Sequence, residues 1–512
     1  MRILYFLAHP NGIGGAMKVL LTQAYIMKQK GHQVKVYIQD NEEGEHIKEY
    51  SNLFRKMNLE EVSLYYPIAT CIEEINILDS IECISAFERI IDEFFPDIIH
   101  SVQLNITAEL VARKRHIPHL MNIYPLRKEM FYMNWMDVFP TYQSSDSDFF
   151  CNQWRKGLGV ISRCIRIAYD TPTKKKSPER KNENIIELVC IACFAAYKNQ
   201  YEILKFVKNY TKCHKSIHIS FLGDFSGDYA KKCEQYVLDN DLERYVSFEG
   251  TVTDVEYYLD KADCLIHASK VESYPGVLVE AMANKVPIIV NPVGGISELL
   301  RDEENSFWIK ECSSNGIEES FERFLSFRMN GKLQQVIENA YKTYIDFHSY
   351  ESVGKQLEEY YLYILDNDPE YTDNIQVIKS TMEEFCEKYE KHICSEFTRK
   401  RVYFLYHLKD SIKRNNKKNC LIWGAGKFGK IALEWCEILD LEVLGFVDTI
   451  KKGAYEGYNI YNKDTEYIDM VDIIIIAIGD FESRQEVMHY LEKKGKSQNR
   501  DYVLMLNDSC LR

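Results

Sequence analysis

The sequence predicts an α/β protein with two doubly wound parallel sheets that face a cleft, followed by a third, smaller α/β unit. Three observations support this fold class. Apolar strand segments alternate with helical segments through both large parts of the chain, and a polar, basic stretch with two prolines separates them at 171–184. A glycine-rich strand–turn–helix begins near residue 419. The predicted units are 1–170, 171–366 and 419–512, with a helical connector over 367–418.

The composition excludes several classes of protein. A chain of 512 residues is longer than one hydrophobic core usually supports. With 46% hydrophobic and 27% charged residues, it is expected to be folded throughout, and a formal net charge of −14 argues against a nucleic-acid partner. No apolar run approaches the roughly 20 residues of a membrane span, and the first ten residues enter a strand rather than a signal peptide. We therefore expect a cytoplasmic protein.

The 15 cysteines do not indicate a metal or disulfide framework. A Cys-x-x-Cys pair occurs once, at Cys190 and Cys193, inside a predicted strand over 185–194. A zinc or redox site would need a second pair or a loop setting. We therefore assign this pair to the core and predict no metal site.

The first unit alternates strands and helices from its first residue. A glycine-rich turn at 11–16 leads into a helix over 17–30, so Gly14 and Gly15 lie between the carboxyl end of a strand and a helix start. Ligands of doubly wound sheets bind at such ends. The predicted strands of this unit cover 1–9, 32–39, 95–103 and 116–124.

The second unit repeats the alternation after the basic stretch. Its predicted helices include 200–210, 277–284 and 346–365. Its predicted strands cover 185–194, 216–224, 245–250, 262–269 and 286–290.

The stretch 271–300 carries the candidate site. A Tyr-Pro-Gly break at 274–276 separates a buried strand from a helix, and the first N–H groups of a helix bind phosphate without needing a side chain. Glu280, one turn into the helix, can accept hydrogen bonds from two ribose hydroxyls, and Glu272 projects toward whatever the phosphate carries. The backbone N–H groups predicted to bind phosphate are those of Gly276, Val277 and Leu278. The alternative interpretation is an ordinary strand–loop–helix with solvated glutamates.

Two glutamates separated by seven residues, then Glu-Ala-Met, Val-Pro-Ile-Ile-Val and Gly-Gly-x-x-Glu, follow one another in this stretch. The pattern resembles the signature of the family 4 retaining glycosyltransferases of GT-B architecture. The residues that match are Glu272, Glu280, Gly294, Gly295 and Glu298. The resemblance covers roughly 1–366. It implies a GT-B fold, a last helix that crosses back to the first unit, and a nucleotide diphosphate sugar donor, which we expect to be a UDP-sugar.

The resemblance also implies roles for individual residues. Glu272 would position the sugar hydroxyls, and Lys198 would neutralise the donor diphosphate; these are the expected catalytic residues. The implied mechanism needs no metal and no protein nucleophile, because the leaving phosphate takes the acceptor proton on the same face of the sugar. The expected donor-binding residues are Gly14, Gly15, Tyr274, Gly276, Val277, Leu278 and Glu280.

Two positions depart from the family pattern. Cys193 stands where an arginine usually accompanies Lys198, and losing an arginine–phosphate contact costs about 1.5–3 kcal/mol. Tyr124 stands where many members have a histidine that contacts the transferred sugar. His100 and His9 are the nearby alternatives, although a lone histidine at a strand end is more often structural.

The C-terminal unit contains a dinucleotide-binding fingerprint. Gly424, Gly426 and Gly429 follow a predicted strand and open a helix, and Asp448 lies about 20 residues further on, where it would hold a ribose. This unit resembles the small Rossmann-like domains appended to bacterial sugar-modifying enzymes. It would bind NAD(P) or another nucleotide, or it would be a packing, oligomerising or sensing module.

Taken together, these features favour a glycosyltransferase of bacterial surface polysaccharide or glycoconjugate assembly, with a saccharide or lipid-linked acceptor and no cofactor for the transfer. Two alternatives stay open: a non-catalytic transferase-like scaffold, and an NAD-dependent sugar-nucleotide modifier acting through the C-terminal unit. The basic run 113–115 would touch an anionic membrane at the inner face or form a solvated helix face. Whether the chain forms a homo-oligomer also stays open.

Overall fold

The computed structural model describes residues 1–8, 15–40, 48–124, 138–170, 185–213, 216–252, 254–367, 369–498 and 500–506. These residues form three sheets, as the alternation of strands and helices predicts. In the described part of the chain, none of the helices combines the length and the hydropathy that crossing a bilayer requires.

The first sheet has seven described strands, all parallel, in the order β3-β2-β1-β4-β5-β6-β7. The central strands are apolar and buried, as the sequence predicts. The strands are β1 (Arg2–Leu7), β2 (Gln33–Asp40), β3 (Val62–Tyr65), β4 (Ile98–Val102), β5 (His119–Asn122), β6 (Tyr142–Ser145) and β7 (Ile161–Cys164). The helices of this unit are α1 (Gly15–Gln29), α2 (Lys48–Lys56), α3 (Ile77–Glu82), α4 (Ile84–Phe94), α5 (Ile106–Arg115) and α6 (Asp148–Leu158).

The second sheet has six described strands, again all parallel, in the order β10-β9-β8-β11-β12-β13. They are β8 (Ile186–Ile191), β9 (Ile217–Leu222), β10 (Val246–Gly250), β11 (Cys264–His267), β12 (Ile288–Val290) and β13 (Phe307–Trp308). The helices are α7 (Gln200–Tyr210), α8 (Gly227–Leu238), α9 (Val255–Lys261), α10 (Gly276–Ala283), α11 (Ile296–Leu299), α12 (Ser314–Met329) and α13 (Leu333–His348). Cys190 lies in β8, whereas Cys193 lies beyond its end rather than inside the strand.

The next helix, α14 (Tyr350–Asp366), packs against the first sheet. The hydroxyl groups of Tyr361 and Tyr5 are 2.7 Å apart, and the Tyr360 hydroxyl donates to the Gln143 carbonyl at 2.9 Å. The continuous helix predicted over 346–365 is wrong, because α13 ends at His348. The Ser349 hydroxyl accepts the Ser352 N–H and starts a new helix.

A connector of three helices leads to the third sheet: α15 (Ile375–Lys388), α16 (Glu396–Arg399) and α17 (Val402–Arg414). The third sheet has the order β16-β17-β15-β14-β18-β19, and its pairs are parallel except β16 with β17. One continuous hydrophobic core joins the first unit, the connector and this sheet. The strands are β14 (Asn419–Trp423), β15 (Glu442–Val447), β16 (Gly453–Tyr455), β17 (Tyr458–Tyr461), β18 (Ile473–Ile476) and β19 (Tyr502–Leu504). The helices are α18 (Lys427–Leu439), α19 (Tyr467–Met470) and α20 (Phe481–Lys493).

Candidate functional site

The two predicted catalytic residues meet at the carboxyl end of β11. Glu272 lies in the loop that follows this strand and is only 8% exposed. Its Oε1 accepts hydrogen bonds from Lys198 Nζ at 2.5 Å and from His267 Nε2 at 2.9 Å. The sequence signalled Lys198 and Glu272 separately, and the fold joins them into one buried ion pair. His267 is a third member that the sequence analysis missed, although it is the last residue of β11.

The pair keeps both of its charges. Burial by itself would raise the pKa of Glu272, but the hydrogen bonds and positive charges of His267 and Lys198 lower it to about 2. Burial would lower the pKa of Lys198, yet the Glu272 carboxylate outweighs it and raises that pKa. A carboxylate and an ammonium therefore stand side by side near neutral pH, next to the start of α10.

The start of α10 offers two backbone donors rather than three. Pro275 precedes the helix in an extended conformation, and the Leu278 N–H donates to the Pro275 carbonyl at 3.1 Å. The N–H groups of Gly276 and Val277 have no acceptor within the described ranges. The prediction of a three-amide phosphate site is thus corrected to two, because the first turn closes on itself.

Glu280 meets a cation from the other side of the cleft. Lys18 Nζ, in the first turns of α1, lies 3.5 Å from Glu280 Oε1. Helix α1 begins at Gly15, while Gly14 lies outside the described residues. Cys193 brings no charge to the position of the family arginine. Lys18 therefore supplies positive charge near the helix start from the first unit.

Tyr274 does not face the cleft. Its side chain is 2% exposed and stacks on His348 with ring centroids 5.1 Å apart. The Arg166 guanidinium carbon lies 5.7 Å from its ring centroid. The Tyr274 ring fills the seam between the two units, so the predicted donor contact of Tyr274 stays a prediction for its backbone.

The glycine pair after β12 touches the Glu272 loop directly. Gly294 has a φ of +59°, and a Cβ added there would lie 1.8 Å from the Glu272 carbonyl oxygen. A Cβ on Gly295 would lie 2.4 Å from Ser147 Cβ, which belongs to the first unit. These two positions exclude any side chain because two backbones and a second domain converge there.

Of the two alternative histidines, His100 is not placed to contact a sugar. His100 is fully buried and bonds the Tyr361 hydroxyl at 2.5 Å and Asn122 Oδ1 at 2.8 Å, and burial lowers its pKa to about 3. His9 lies outside the described residues. Tyr124 is half-buried, and its hydroxyl accepts from Asn122 Nδ2 at 3.1 Å. His100 is therefore structural.

A second histidine in the first sheet has the geometry of a nucleophile triad without access to solvent. The Ser101 hydroxyl lies 2.8 Å from His119 Nε2, and His119 Nδ1 lies 2.8 Å from Glu109 Oε2. All three residues are 0% exposed. Because no substrate can reach the hydroxyl, the three residues form a structural network that ties β4, β5 and α5 together.

Each residue of the basic run at the end of α5 forms an ion pair. Arg113 Nε lies 2.7 Å from Glu109, and Lys114 Nζ lies 3.0 Å from Glu88. Arg115 pairs with Asp92. This pairing favours the solvated helix face over the anionic membrane contact.

Asp146 is a cleft residue that the sequence analysis missed. It follows β6, is 5% exposed, and accepts a hydrogen bond from the Ser273 hydroxyl of the second unit. Burial raises its pKa to about 7, although Ser273 and the Arg166 charge oppose the rise. A polar strand, Tyr-Gln-Ser-Ser, precedes it, so no apolar pattern pointed to it.

We expect Asp146 to make stability fall as the pH rises. Its folded pKa lies above its unfolded value, so the stabilising contribution is complete below about pH 4 and is lost as the pH rises through about 7. Between pH 5.5 and 8.5, the wild type should lose about 2 kcal/mol of unfolding free energy that Asp146→Asn retains. Urea denaturation at both values measures this, with Asp228→Asn, at an exposed residue of α8, as the control. Equal pH slopes in wild type and Asp146→Asn would contradict the assignment.

The C-terminal fingerprint separates into structural and exposed glycines. Gly424 has a φ of +115°, and a Cβ on Gly429 would lie 2.1 Å from the Gly424 carbonyl oxygen. A Cβ on Gly426 meets no atom within 4 Å. Gly424 and Gly429 therefore shape the turn itself. Gly426 is the position at which a ligand has room to approach.

Asp448 braces this turn. Its Oδ2 accepts the Ala425 N–H at 2.9 Å, and its Oδ1 accepts the N–H groups of Ile450 and Lys451 at 2.8 and 2.9 Å. Although burial opposes it, these bonds lower the pKa of Asp448. The predicted ribose contact would have to use the remaining lone pair of Oδ2.

Comparison with known proteins agrees with this geometry. The model of the family "Glycosyl transferases group 1" matches residues 171–343. These residues, about a third of the chain, are similar to the group 1 glycosyltransferase domain. A second model, "PglD N-terminal domain", matches residues 419–491, which include the glycine turn. The residues that match the group 1 model include Lys198, Glu272 and the start of α10.

Curated relatives match this chain over part of their length. The Vi polysaccharide biosynthesis protein VipC/TviE of Salmonella typhi is 29% identical over 129 residues, which are 25% of this chain and 22% of the relative. The capsular polysaccharide biosynthesis glycosyltransferase CapH of Staphylococcus aureus is 26% identical over 121 residues, 23% of this chain and 34% of the relative. The alignments thus span about a fifth to a third of these two relatives.

Solved structures extend the likeness of fold to both large units. Anabaena Alr3699/HepE, in complex with UDP and glucose, superposes with a TM-score of 0.58 at 16% identity, over 70% of this chain and 99% of that one. A glycosyltransferase from Rickettsia africae gives a TM-score of 0.59 at 14% identity, over 72% and 99%. The predicted GT-B fold is confirmed.

Proposed function

We propose that this protein is a retaining glycosyltransferase that transfers a sugar from a UDP-sugar to a saccharide or lipid-linked acceptor, without a metal, in bacterial surface polysaccharide or glycoconjugate assembly. The observation that carries the proposal is the buried Lys198–Glu272 ion pair beside the open start of α10. A fixed ammonium and two free backbone donors converge where a diphosphate would lie.

The donor diphosphate binds the N–H groups of Gly276 and Val277 and the Lys198 ammonium. Lys198 has three N–H donors and uses one on Glu272 in the structure, so it can bind phosphate without breaking the pair. The Glu280 carboxylate accepts the ribose hydroxyls once Lys18 turns from it toward the negatively charged phosphates. Lys18 thereby supplies part of the positive charge that an arginine at position 193 would bring to the diphosphate.

The transfer breaks the bond between the sugar anomeric carbon and the phosphate oxygen. The acceptor hydroxyl attacks the same face of the sugar, and its proton passes to the departing phosphate oxygen. Lys198 and the α10 N–H groups stabilise the charge that develops on the diphosphate. Glu272 stays ionised because of its low pKa, so it accepts hydrogen bonds from the sugar hydroxyls and orients the ring.

The comparisons support this proposal. Relatives include proteins described as acting in Vi and capsular polysaccharide biosynthesis, and HepE is seen with UDP, glucose and UDP-glucose. Membership of family 4 rests on the residue pattern around Glu272 and Glu280. We propose the functional units 1–170 for the acceptor, 171–366 for the donor, 367–418 as connector and 419–512 as the nucleotide-binding-like domain.

A second ligand site in the C-terminal unit has its own observation. The turn before α18 leaves open space at Gly426, and the N-terminal end of α18 favours an anion there. The ligand class we propose is a nucleotide, with NAD(P) among the candidates. This site would serve a sensing role or a sugar-nucleotide modification rather than the transfer itself.

A thermal-shift panel tests both sites. Wild type, Glu280→Ala and Gly426→Val are heated with UDP, other nucleotides, UDP-sugars and NAD(P)(H). A nucleotide at 100 times its Kd stabilises the fold by about 2.7 kcal/mol, a shift of about 5 °C or more. We expect UDP to stabilise the wild type and Gly426→Val, with the shift lost in Glu280→Ala because a charged hydrogen bond to ribose disappears.

Two outcomes would contradict the proposal. Stabilisation by a dinucleotide alone, abolished in Gly426→Val, would move the chemistry to the C-terminal unit. UDP stabilisation that persists in Glu280→Ala would remove the ribose role of Glu280. Gly426→Val is a suitable probe because a Cβ there meets no atom within 4 Å and the φ of −126° suits any residue.

A further inference from the structure

A third set of contacts crosses the cleft beside the candidate donor site. Glu298 lies in α11 of the second unit, and both of its carboxylate oxygens bind the first unit. Oε2 accepts the Asp148 N–H at 3.0 Å, and Oε1 accepts the Phe149 N–H at 2.6 Å. These N–H groups open helix α6 and have no partner inside that helix. A carboxylate is the favoured group at this positive end.

Arg166 holds this carboxylate in place. Its side chain is 8% exposed, and one guanidinium nitrogen lies 2.7 Å from Glu298 Oε2. The same nitrogen donates to the Asp146 carbonyl at 3.0 Å, and the other terminal nitrogen donates to Asp148 Oδ2 at 3.1 Å. Arg166 thus joins the end of β6, the start of α6 and Glu298. A buried guanidinium with these partners leaves Glu298 little choice of position.

The same element is coupled to the Glu272 loop. The Gly295 N–H donates to the Ser273 carbonyl at 2.8 Å, and the Gly295 backbone is close enough to Ser147 that a Cβ would collide with it. Ser273 in turn bonds Asp146 across the cleft. Movement of α6 away from Glu298 would therefore pull on the loop that carries the Lys198–Glu272 pair.

We propose that Glu298 is a positioning residue that holds the two large units together and sets the width of the cleft. It does so through its hydrogen bonds to the first two N–H groups of α6, and Arg166 fixes its carboxylate in place. We call this set of contacts the latch. This inference rests on the proposed transfer for its functional meaning. The latch closes the cleft so that water is excluded while the acceptor is held against the donor. Donor binding itself uses residues that Glu298 does not touch.

Hydrogen exchange tests the latch without any donor or activity. In the full-length protein, Glu298→Gln removes the charge that holds the Asp148 and Phe149 N–H groups. We expect their exchange to accelerate about 10- to 100-fold, the factor that a charged hydrogen bond is worth. The start of α5, capped by Asn105 through the Ala108 N–H, should exchange unchanged. Glu319→Gln, at an exposed residue of α12, is the matched control and should change neither segment.

Small-angle scattering and transfer kinetics supply the second readout. Glu298→Gln should enlarge the radius of gyration and lower kcat about tenfold or more, and donor Kd should change less than about threefold. Glu298→Asp keeps the charge, but its side chain is one methylene shorter. Its radius of gyration and kcat should therefore lie between those of the wild type and of Glu298→Gln. If Glu298→Gln does not fold, Glu298→Asp alone decides by the same exchange measurement.

Unchanged exchange at residues 148–149 in the Glu298 variants would overturn the latch. Equal acceleration at the start of α5 would also overturn it, because the whole first unit would then have become less stable. Failure of the proposed function looks different. A protein that transfers no sugar but shows local exchange at α6 retains the latch and loses the transferase assignment.

Discussion

Lys198→Met is expected to reduce sugar transfer about 100- to 1,000-fold. Lys198 supplies the fixed positive charge next to the site of the developing phosphate charge, and removing one preorganised donor of this kind typically costs about 2.7–4 kcal/mol of transition-state stabilisation. The measurement is kcat/KM for transfer from a UDP-sugar to a saccharide acceptor. Donor Kd should weaken less than kcat falls, because the α10 N–H groups remain.

The same substitution should also destabilise the second unit. Glu272 would stay buried with His267 as its remaining hydrogen-bond partner among the described residues, and breaking a buried ion pair costs about 3–5 kcal/mol. The double variant Lys198→Met/Glu272→Gln should regain most of that stability while staying inactive. Lys205→Met breaks the surface pair with Glu202, 2.6 Å apart, and should cost less than about 1 kcal/mol and leave transfer intact.

These variants separate catalysis from folding. Full transfer by Lys198→Met, with donor binding retained, would remove the catalytic role of Lys198. A double variant as unstable as the single one would show that the ion pair is not the source of the destabilisation.

Gly294→Ala is expected to destabilise the second unit by about 3 kcal/mol or more and to weaken donor binding. An alanine there is strained at a φ of +59°, and its Cβ would lie 1.8 Å from the Glu272 carbonyl oxygen. Either the glycine loop or the Glu272 loop must move. Since Glu272 accepts the Lys198 hydrogen bond, the movement disrupts the pair.

Gly331→Ala is the matched control for this substitution. Gly331 has a φ of +77°, yet a Cβ there meets no atom within 4 Å. It should therefore cost only the backbone strain, about 1–2 kcal/mol, and leave donor binding unchanged. Chemical denaturation and donor titration of both variants measure the difference. Equal losses in the two variants would show that strain, rather than contact with the Glu272 loop, governs Gly294.

Local patterns in the sequence were sufficient for the central strands of all three sheets and for the start of α10. Strands such as β1, β8 and β14 are short apolar runs, and a run of buried aliphatic residues is readable without knowing its neighbours. The polar strands β6 and β7 were not predicted. The β6 side chains and Ser162 of β7 are buried and form hydrogen bonds with one another, as Ser162 does with Gln143, and such pairing appears only after the strands are adjacent.

For the candidate site, the residue types and their loops could be predicted from the sequence: Lys198 after β8, Glu272 after β11, Glu280 in α10 and two glycines after β12. How these residues combine became visible in the folded chain. Lys198 and Glu272 are 74 residues apart, Glu298 and Asp148 are 150 apart, and Lys18 and Glu280 are 262 apart. Whether Tyr274 faces the donor or the seam also depends on the other unit. A local pattern records which groups a loop offers, whereas their partners and burial are set by the packing of two sheets against each other.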